Sequence, residues 1–181
     1  MRLFTGIAID PEVLANLKSV LDELKATASL NWSKVENLHI TTKFIGEWPP
    51  ARLPELKKAL TTVEGTGPIE IALRGFGFFP SPQRARVFYA GVEAGPKLGI
   101  LAERVETACE TVGVKREDRE YSPHLTLAKI RNAKVTGLRE RIADMVDRDM
   151  GAFTANEFHL YLSQPSAGGS VYTQLESFPL A

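Results

Sequence analysis

Leu38-His39-Ile40-Thr41-Thr42-Lys43-Phe44-Ile45, closed by Gly46 and by Pro49-Pro50, reads as a strand with a histidine two places before a threonine. Ser122-Pro123-His124-Leu125-Thr126-Leu127-Ala128-Lys129 repeats the pattern, with His124 standing 85 positions after His39. At the same shift Arg2-Leu3-Phe4-Thr5-Gly6-Ile7 falls on Val87-Phe88-Tyr89-Ala90-Gly91-Val92, and the Phe4/Tyr89, Gly6/Gly91 and Ile7/Val92 pairs are chemically alike. Threonine fills 13 of 181 positions. Two of the three histidines would therefore sit in His-x-Thr by chance about 1–2% of the time. A shared offset makes coincidence a poorer explanation still, so the chain reads as an internal duplication.

The elements around these strands repeat in the same order. Arg2 to Ile9 is a short apolar strand, after which Asp10 is an N-cap and Pro11 the first helical residue. Leu14, Leu17, Val20, Leu21 and Leu24 carry a helix to about Thr27. A second helix follows on Leu53, Leu56, Leu60 and Val63, then a long strand from Ile69 to Phe79, bent at Gly75 or Gly77. The second half offers a strand from Arg86 to Val92, a helix opened by Pro96 and ended by Gly113, and a strand from His124 to Ile130. A helix on Leu138, Ile142, Met145 and Val146 comes next, then strands over Phe153–Leu162 and Val171–Phe178, separated by a flexible loop, Pro165 to Ser170. This predicts an α+β fold of two pseudo-symmetric lobes, each with an antiparallel sheet and helices, around a cleft. Residues 1–181 form one bilobal domain, with repeat halves of roughly 1–80 and 86–165 and a C-terminal strand over 170–180.

Composition narrows the function classes. The chain is 44% apolar and 24% charged, ordinary for a globular protein that buries a core. Basic and acidic residues balance at 22 each, which excludes a bulk polyanion binder of the histone kind. One cysteine, Cys109, excludes an internal disulfide and a multi-cysteine zinc site. No apolar run approaches the ~20 residues that span a bilayer. The start, Met1 to Asp10, lacks the extended apolar core of a signal peptide, so the expected compartment is the cytoplasm.

Side chains alternate along a strand, so His39, Thr41 and Lys43 are expected on one face, opposite Ile40, Thr42 and Phe44. His124, Thr126 and Ala128 are expected to share a face opposite Leu125 and Leu127. On the central strands of two facing sheets, the pair of histidines and the pair of threonines would line one cleft. That set suits phosphoester chemistry. A neutral imidazole takes a proton from the attacking oxygen and an imidazolium gives one to the leaving oxygen. The hydroxyls donate to non-bridging phosphoryl oxygens, where charge accumulates. Each acid or base is typically worth 10²–10⁴-fold, so the pair supplies roughly 5–11 kcal/mol. The absence of His-x-His and His-Glu-x-x-His argues against a required metal, and no cofactor is expected.

Trp32 through Glu47 resembles the first signature of the 2H phosphoesterases, nearest to the RNA 2′,3′-cyclic phosphodiesterases formerly called 2′-5′ RNA ligases, and Ser122 through Lys129 resembles the second. The opening Arg2-Leu3-Phe4 and the stretch from Phe158 through Gly169, Tyr172 and Phe178-Pro179-Leu180 are also similar, so the resemblance covers essentially the whole chain. It implies metal-independent opening of a 2′,3′-cyclic phosphate on RNA to a 2′-phosphomonoester. By motif match His39 corresponds to the proton donor, His124 to the proton acceptor, and Thr41 and Thr126 to the phosphate-binding positions. Two departures stand out: Thr42 where the family is usually hydrophobic, and Lys129 where it often has arginine.

Lys43, Tyr121 and Arg86 are candidate contacts to substrate, as added charge, base stacking and RNA backbone contact respectively. His159 and Cys109 read as structural. The expected substrates are RNA ends or small cyclic nucleotides, with no membrane and no obligate protein partner, and the expected state is a monomer. An RNA-end-binding module without turnover, and 2′-5′ RNA ligation run by the same site in reverse, are the competing readings.

Overall fold

Apolar alternation and helical spacing together place nine strands and four helices in the computed structural model, which describes residues 1–181. In chain order they are β1 (Arg2–Ala8), α1 (Pro11–Leu24), β2 (Asn31–Trp32), β3 (His39–Glu47), α2 (Leu53–Thr61), β4 (Ile69–Phe79) and β5 (Val87–Glu93). Then come α3 (Gly95–Glu110), β6 (His124–Lys129), α4 (Thr136–Ile142), β7 (Asp149–Ala155), β8 (Glu157–Ser166) and β9 (Gly169–Pro179). Two antiparallel sheets result, with strand orders β3-β1-β8-β9 and β2-β6-β5-β4-β7. The α+β, two-sheet architecture expected from the sequence is the one the chain adopts.

The halves are not the lobes. Under the 85-residue shift β1, β3 and β4 correspond to β5, β6 and the region of β8. Yet β4 joins the sheet of β5 and β6, while β8 joins the sheet of β1 and β3, so each half gives its third strand to the other sheet. Helices cross as well: α1 packs on β7 and α3 on β3. Val13, Leu17, Val20, Leu21 and Leu24 fill the buried stripe of α1, and Leu98, Leu101, Val105 and Cys109 that of α3. Fully burying each such leucine contributes about 1.5–3 kcal/mol. Asp10 occupies the N-cap position of α1, where its carbonyl accepts from Leu14 N at 2.9 Å, but its side chain makes no capping bond.

Several local expectations are corrected. The stretch read as one strand over Phe153–Leu162 is two strands in different sheets, β7 and β8, broken at Asn156. The Pro165–Ser170 segment is no flexible loop: β8 and β9 pair to Ser166↔Gly169 around an Ala167-Gly168 turn. Val146, expected on the apolar face of the fourth helix, is 69% exposed, because that helix ends at Ile142 and passes into a 3₁₀ turn. The strand β2 leaves no mark in the sequence pattern because it is only two residues long. The bend in β4 falls at Gly75, with φ +69° and a place where a Cβ would meet the Val146 carbonyl at 2.5 Å, so only glycine fits.

Candidate active site

His39 opens β3 and His124 opens β6. β3 is the edge of its sheet and β6 lies next to the edge of the other, so neither is central as expected. The two strand starts are built alike. His39 Nδ1 lies 2.7 Å from the carbonyl of Asn37, and His124 Nδ1 lies 2.9 Å from the carbonyl of Ser122, the residue two places before in each case. A carbonyl can only accept, so each Nδ1 carries a proton and, in the neutral ring, each Nε2 keeps its lone pair. His39 Nε2 is 2.8 Å from Thr41 Oγ1, while His124 Nε2 has no protein partner.

A β-bulge then re-aims both strands. β1 pairs Gly6 with Thr41 and Thr5 with Lys43, leaving Thr42 as the extra residue. β5 pairs Tyr89 with Thr126 and Phe88 with Ala128, leaving Leu127 as the extra residue at the equivalent place. Two consecutive side chains therefore point inward and the alternation inverts beyond them. The burial sequence is the same in both: half-buried histidine, buried residue, half-buried threonine, two buried residues, then an exposed one.

That bulge corrects the expected faces. Lys43 does not share the cleft with His39; it is 4% exposed and its Nζ bonds both carboxylate oxygens of Glu106 at 2.9 Å and the Lys115 carbonyl at 3.1 Å. Ala128 turns inward likewise. Phe44, expected to point away, is 68% exposed and lines the cleft, as does Lys129 in the other strand. Thr42, the departure from the family's hydrophobic position, is buried against Thr5 with the hydroxyls 2.7 Å apart, so its polarity is satisfied.

The cleft has a volume of about 520 Å³. His39, Thr41, His124 and Thr126 all border it. Tyr121 and Arg86 do not. Tyr121 is a brace rather than a stacking surface: its hydroxyl donates to the Thr41 carbonyl at 2.7 Å, tying the segment before β6 to the middle of β3, and burial raises the pKa of its phenol. Arg86 sits exposed outside the cleft, its backbone bonded to Phe79 and Ile130. The cleft residues not singled out as candidate contacts are Trp32, Tyr172 and three cations, Arg2, Lys34 and Lys129. The 85-residue shift already sets Phe44 over Lys129, and a bulge at Thr42 and Leu127 is the missing signal.

The two imidazoles have different surroundings. Phe4 lies 4.6 Å from the His39 ring, Tyr172 meets it edge-on at 5.3 Å, and Tyr161 stacks behind Phe4 at 4.9 Å. Burial lowers the His39 pKa; the Asn37 carbonyl opposes this and the nearby charge of His124 adds to it. His124 meets Phe79 and Tyr89 edge-on, at 4.9 and 5.6 Å. Gly77 makes room for Tyr89, since a Cβ there would come within 2.3 Å of the ring. His159 is buried with Nδ1 2.9 Å from Ser177 Oγ, remote from the cleft lining, and Cys109 is buried with its thiol pushed up to about 11 by desolvation. Nowhere are three His, Cys, Asp or Glu side chains gathered so as to hold a metal ion. No helix is long and apolar enough to cross a membrane.

Fold and cleft together define a two-lobed α+β protein whose site is assembled from one repeated histidine–threonine strand per lobe. The profile of the family described as LigT like phosphoesterase matches residues 7–89 and 92–172. An RNA 2′,3′-cyclic phosphodiesterase of Methanothermobacter thermautotrophicus is 30% identical over 183 residues, covering 99% of each chain. One of Methanocaldococcus jannaschii is 31% identical over 181 residues, covering 98% of this chain and all of the relative. The crystal structure of the Thermus thermophilus protein TT0787 superposes with a TM-score of 0.80 at 27% identity, covering 99% of this chain and 98% of that one. The chain belongs to the LigT-like phosphoesterase family. It is a hydrolase by class.

Proposed function

We propose that this protein hydrolyses RNA 2′,3′-cyclic phosphodiester ends to 2′-phosphomonoesters without a metal ion, using His124 as proton acceptor and His39 as proton donor. The observation that carries the reading is the matched pair of imidazoles bordering one cleft, each with Nδ1 held by the carbonyl two residues before it. The brace fixes the tautomer and leaves both Nε2 atoms for proton transfer. His124 Nε2 takes a proton from water as the water oxygen bonds to phosphorus. The bond from phosphorus to O3′ breaks, and His39 Nε2 protonates the departing oxygen, giving a 3′-hydroxyl and a 2′-phosphate. Thr41 and Thr126 donate to the non-bridging oxygens, so the Thr41 hydroxyl turns from His39 to the substrate.

In the free protein burial favours neutral His39, the wrong state for an acid. An anionic phosphate in the cleft reverses this, because opposite charge at close range favours the imidazolium. Substrate binding thus charges its own acid. The names of the relatives supply the substrate class, and the acid, base and hydroxyl donors supply the catalytic parts that a metal would otherwise provide. The same reading takes residues 1–181 as one domain made by duplication, monomeric and with no cofactor. The matching strand order and bulge of the two halves support the duplication.

The test is an oligoribonucleotide ending in 2′,3′-cyclic phosphate, incubated with the protein in excess EDTA. The expected product is the 2′-monoester. Activity lost in chelator and restored by Mg²⁺ or Zn²⁺ overturns the metal-independent mechanism; a 3′-monoester overturns the assignment of the leaving oxygen.

A further inference from the structure

The charge balance of the chain is not the charge balance of the cleft. Overall the protein has 22 basic and 22 acidic residues. The cleft lining contains Arg2, Lys34 and Lys129 and not one aspartate or glutamate. None of these three cations is held in a salt bridge or a side-chain hydrogen bond, and no carboxylate borders the cleft to neutralise them. An unpaired cation in a cleft free of acids is a site for an anion. The acid, base and hydroxyl donors of the proposed mechanism use none of these three charges.

Their placement gives a direction. Asn37, whose carbonyl braces His39, donates through Nδ2 to the Ser170 carbonyl at 2.7 Å, joining the catalytic strand to the tip of the β8–β9 hairpin. Lys34 lies against that tip: a Cβ on Gly168 would come 3.2 Å from its Nζ, and one on Gly169 3.7 Å from its Cε. Ser163, Ser166 and Ser170 of the hairpin border the same cleft. A polar strip with an unpaired ammonium therefore runs from His39 by way of Asn37 to the hairpin tip.

Resting on the reading of the site given above, we propose that Lys34 and the β8–β9 hairpin tip form a subsite for an internal phosphodiester of the RNA, upstream of the reacting end. The substrate class is then an oligoribonucleotide, and a cyclic mononucleotide fills only part of the site. Lys34 supplies the charge and the hairpin hydroxyls supply donors to the phosphate oxygens, contacts that read backbone and not base.

The experiment compares kcat/KM for a 2′,3′-cyclic mononucleotide and for a tetranucleotide ending in the same cyclic phosphate, at several salt concentrations. The tetranucleotide is expected to be favoured at least ten-fold at low salt, with the ratio shrinking as salt rises. Lys34→Ala should lower that ratio about ten-fold and reduce the log–log salt slope for the tetranucleotide by about 0.7, the increment for one phosphate neutralised on a single strand. Lys34→Arg should keep most of the ratio. Lys18→Ala, which removes the same charge on the distant α1, should leave the ratio at the wild-type value. The proposal is overturned if the wild type turns over both substrates equally at low salt, or if Lys34→Ala lowers both by the same factor. Either result leaves the cyclic phosphodiesterase reading standing. Failure to turn over either substrate overturns that reading, and this one with it.

Discussion

The strand that begins at His39 and the strand that begins at His124 share a backbone and differ in their neighbours. Each has its Nδ1 on the carbonyl two residues before, its threonine two residues after, and its bulge one residue later. Around His39 the cage is closed by Phe4 and Tyr172, and burial holds the ring toward neutrality. Around His124 the contacts are edge-on with Phe79 and Tyr89, and Nε2 has no hydrogen-bond partner in the protein. Behind the bulge one strand buries Lys43 on Glu106 and the other buries Ala128. Repeated main chain can thus set two identical tautomers, while unlike side chains give the two rings different surroundings.

The largest test of that difference is removal of either ring. His39→Ala and His124→Ala are each expected to lower kcat by about 10²–10⁴-fold, and the double variant to be little worse than either, because the pair acts as a unit. A nitrophenolate leaving group needs no proton, so it should restore His39→Ala and leave His124→Ala inactive. Rescue of His124→Ala alone would exchange the two roles.

A second test makes the first half more like the second. Lys43→Met leaves Glu106 buried without its partner and should cost about 3–5 kcal/mol of stability, as breaking a buried pair does. In a chain of this size that is a fall of roughly 6–20 °C in Tm. Lys43→Met with Glu106→Leu should recover most of it. A single variant as stable as wild type would show that the ion pair is not what seats α3 on β3.

The threonines give a finer contrast. Thr41→Val and Thr126→Val each remove a hydroxyl donor to a charged phosphate and should lower kcat by about 1.5–3 kcal/mol, or roughly ten- to a hundred-fold. Only Thr41 also touches an imidazole nitrogen, so only Thr41→Val should move the pH profile. Equal movement in both would deny the difference between the two strands.

The smallest effect is in pH. In the proposed mechanism His39 acts in its protonated form, and burial lowers its pKa in the free protein, so the alkaline limb of kcat/KM should lie lower than an unperturbed histidine would set it. Bound phosphate favours the imidazolium, and the alkaline limb of kcat should lie at higher pH. The limbs belong to the coupled pair. Coincident limbs in the two profiles would show that substrate does not charge its acid.

Much of this was legible in the sequence because it is local. The His-x-Thr repeat and its common offset marked His39, Thr41, His124 and Thr126, four of the polar groups that border the cleft, and apolar spacing marked the helices and most strands. The faces beyond Thr41 and Thr126 were not legible, since a bulge adds one residue without any change in composition and turns Lys43 and Phe44 the opposite way. The exchange of β4 and β8 was hidden for a different reason. Which sheet a strand joins is decided by tertiary pairing, and Phe153 to Leu162 keeps its apolar character straight through the break at Asn156. The Ser- and Gly-rich tip of the last hairpin looked like a loop because register there is held by backbone bonds rather than by side-chain pattern.

Crossed strands also govern how the molecule can move. The chain passes from one sheet to the other between β1 and β2, β2 and β3, β3 and β4, and finally β7 and β8, the last time through Asn156 alone. Neither lobe is a continuous piece of chain, and these crossings join the two sheets in addition to the Tyr121 hydroxyl on Thr41. Proteins that clamp a ligand do so by bending a few residues between bodies that are otherwise separate. Here the jaws are joined by four chain crossings, so a nearly constant gape is expected: a guest would thread in ready-shaped, and the rate of its exit would be a matter of the contacts it makes and not of waiting for a door.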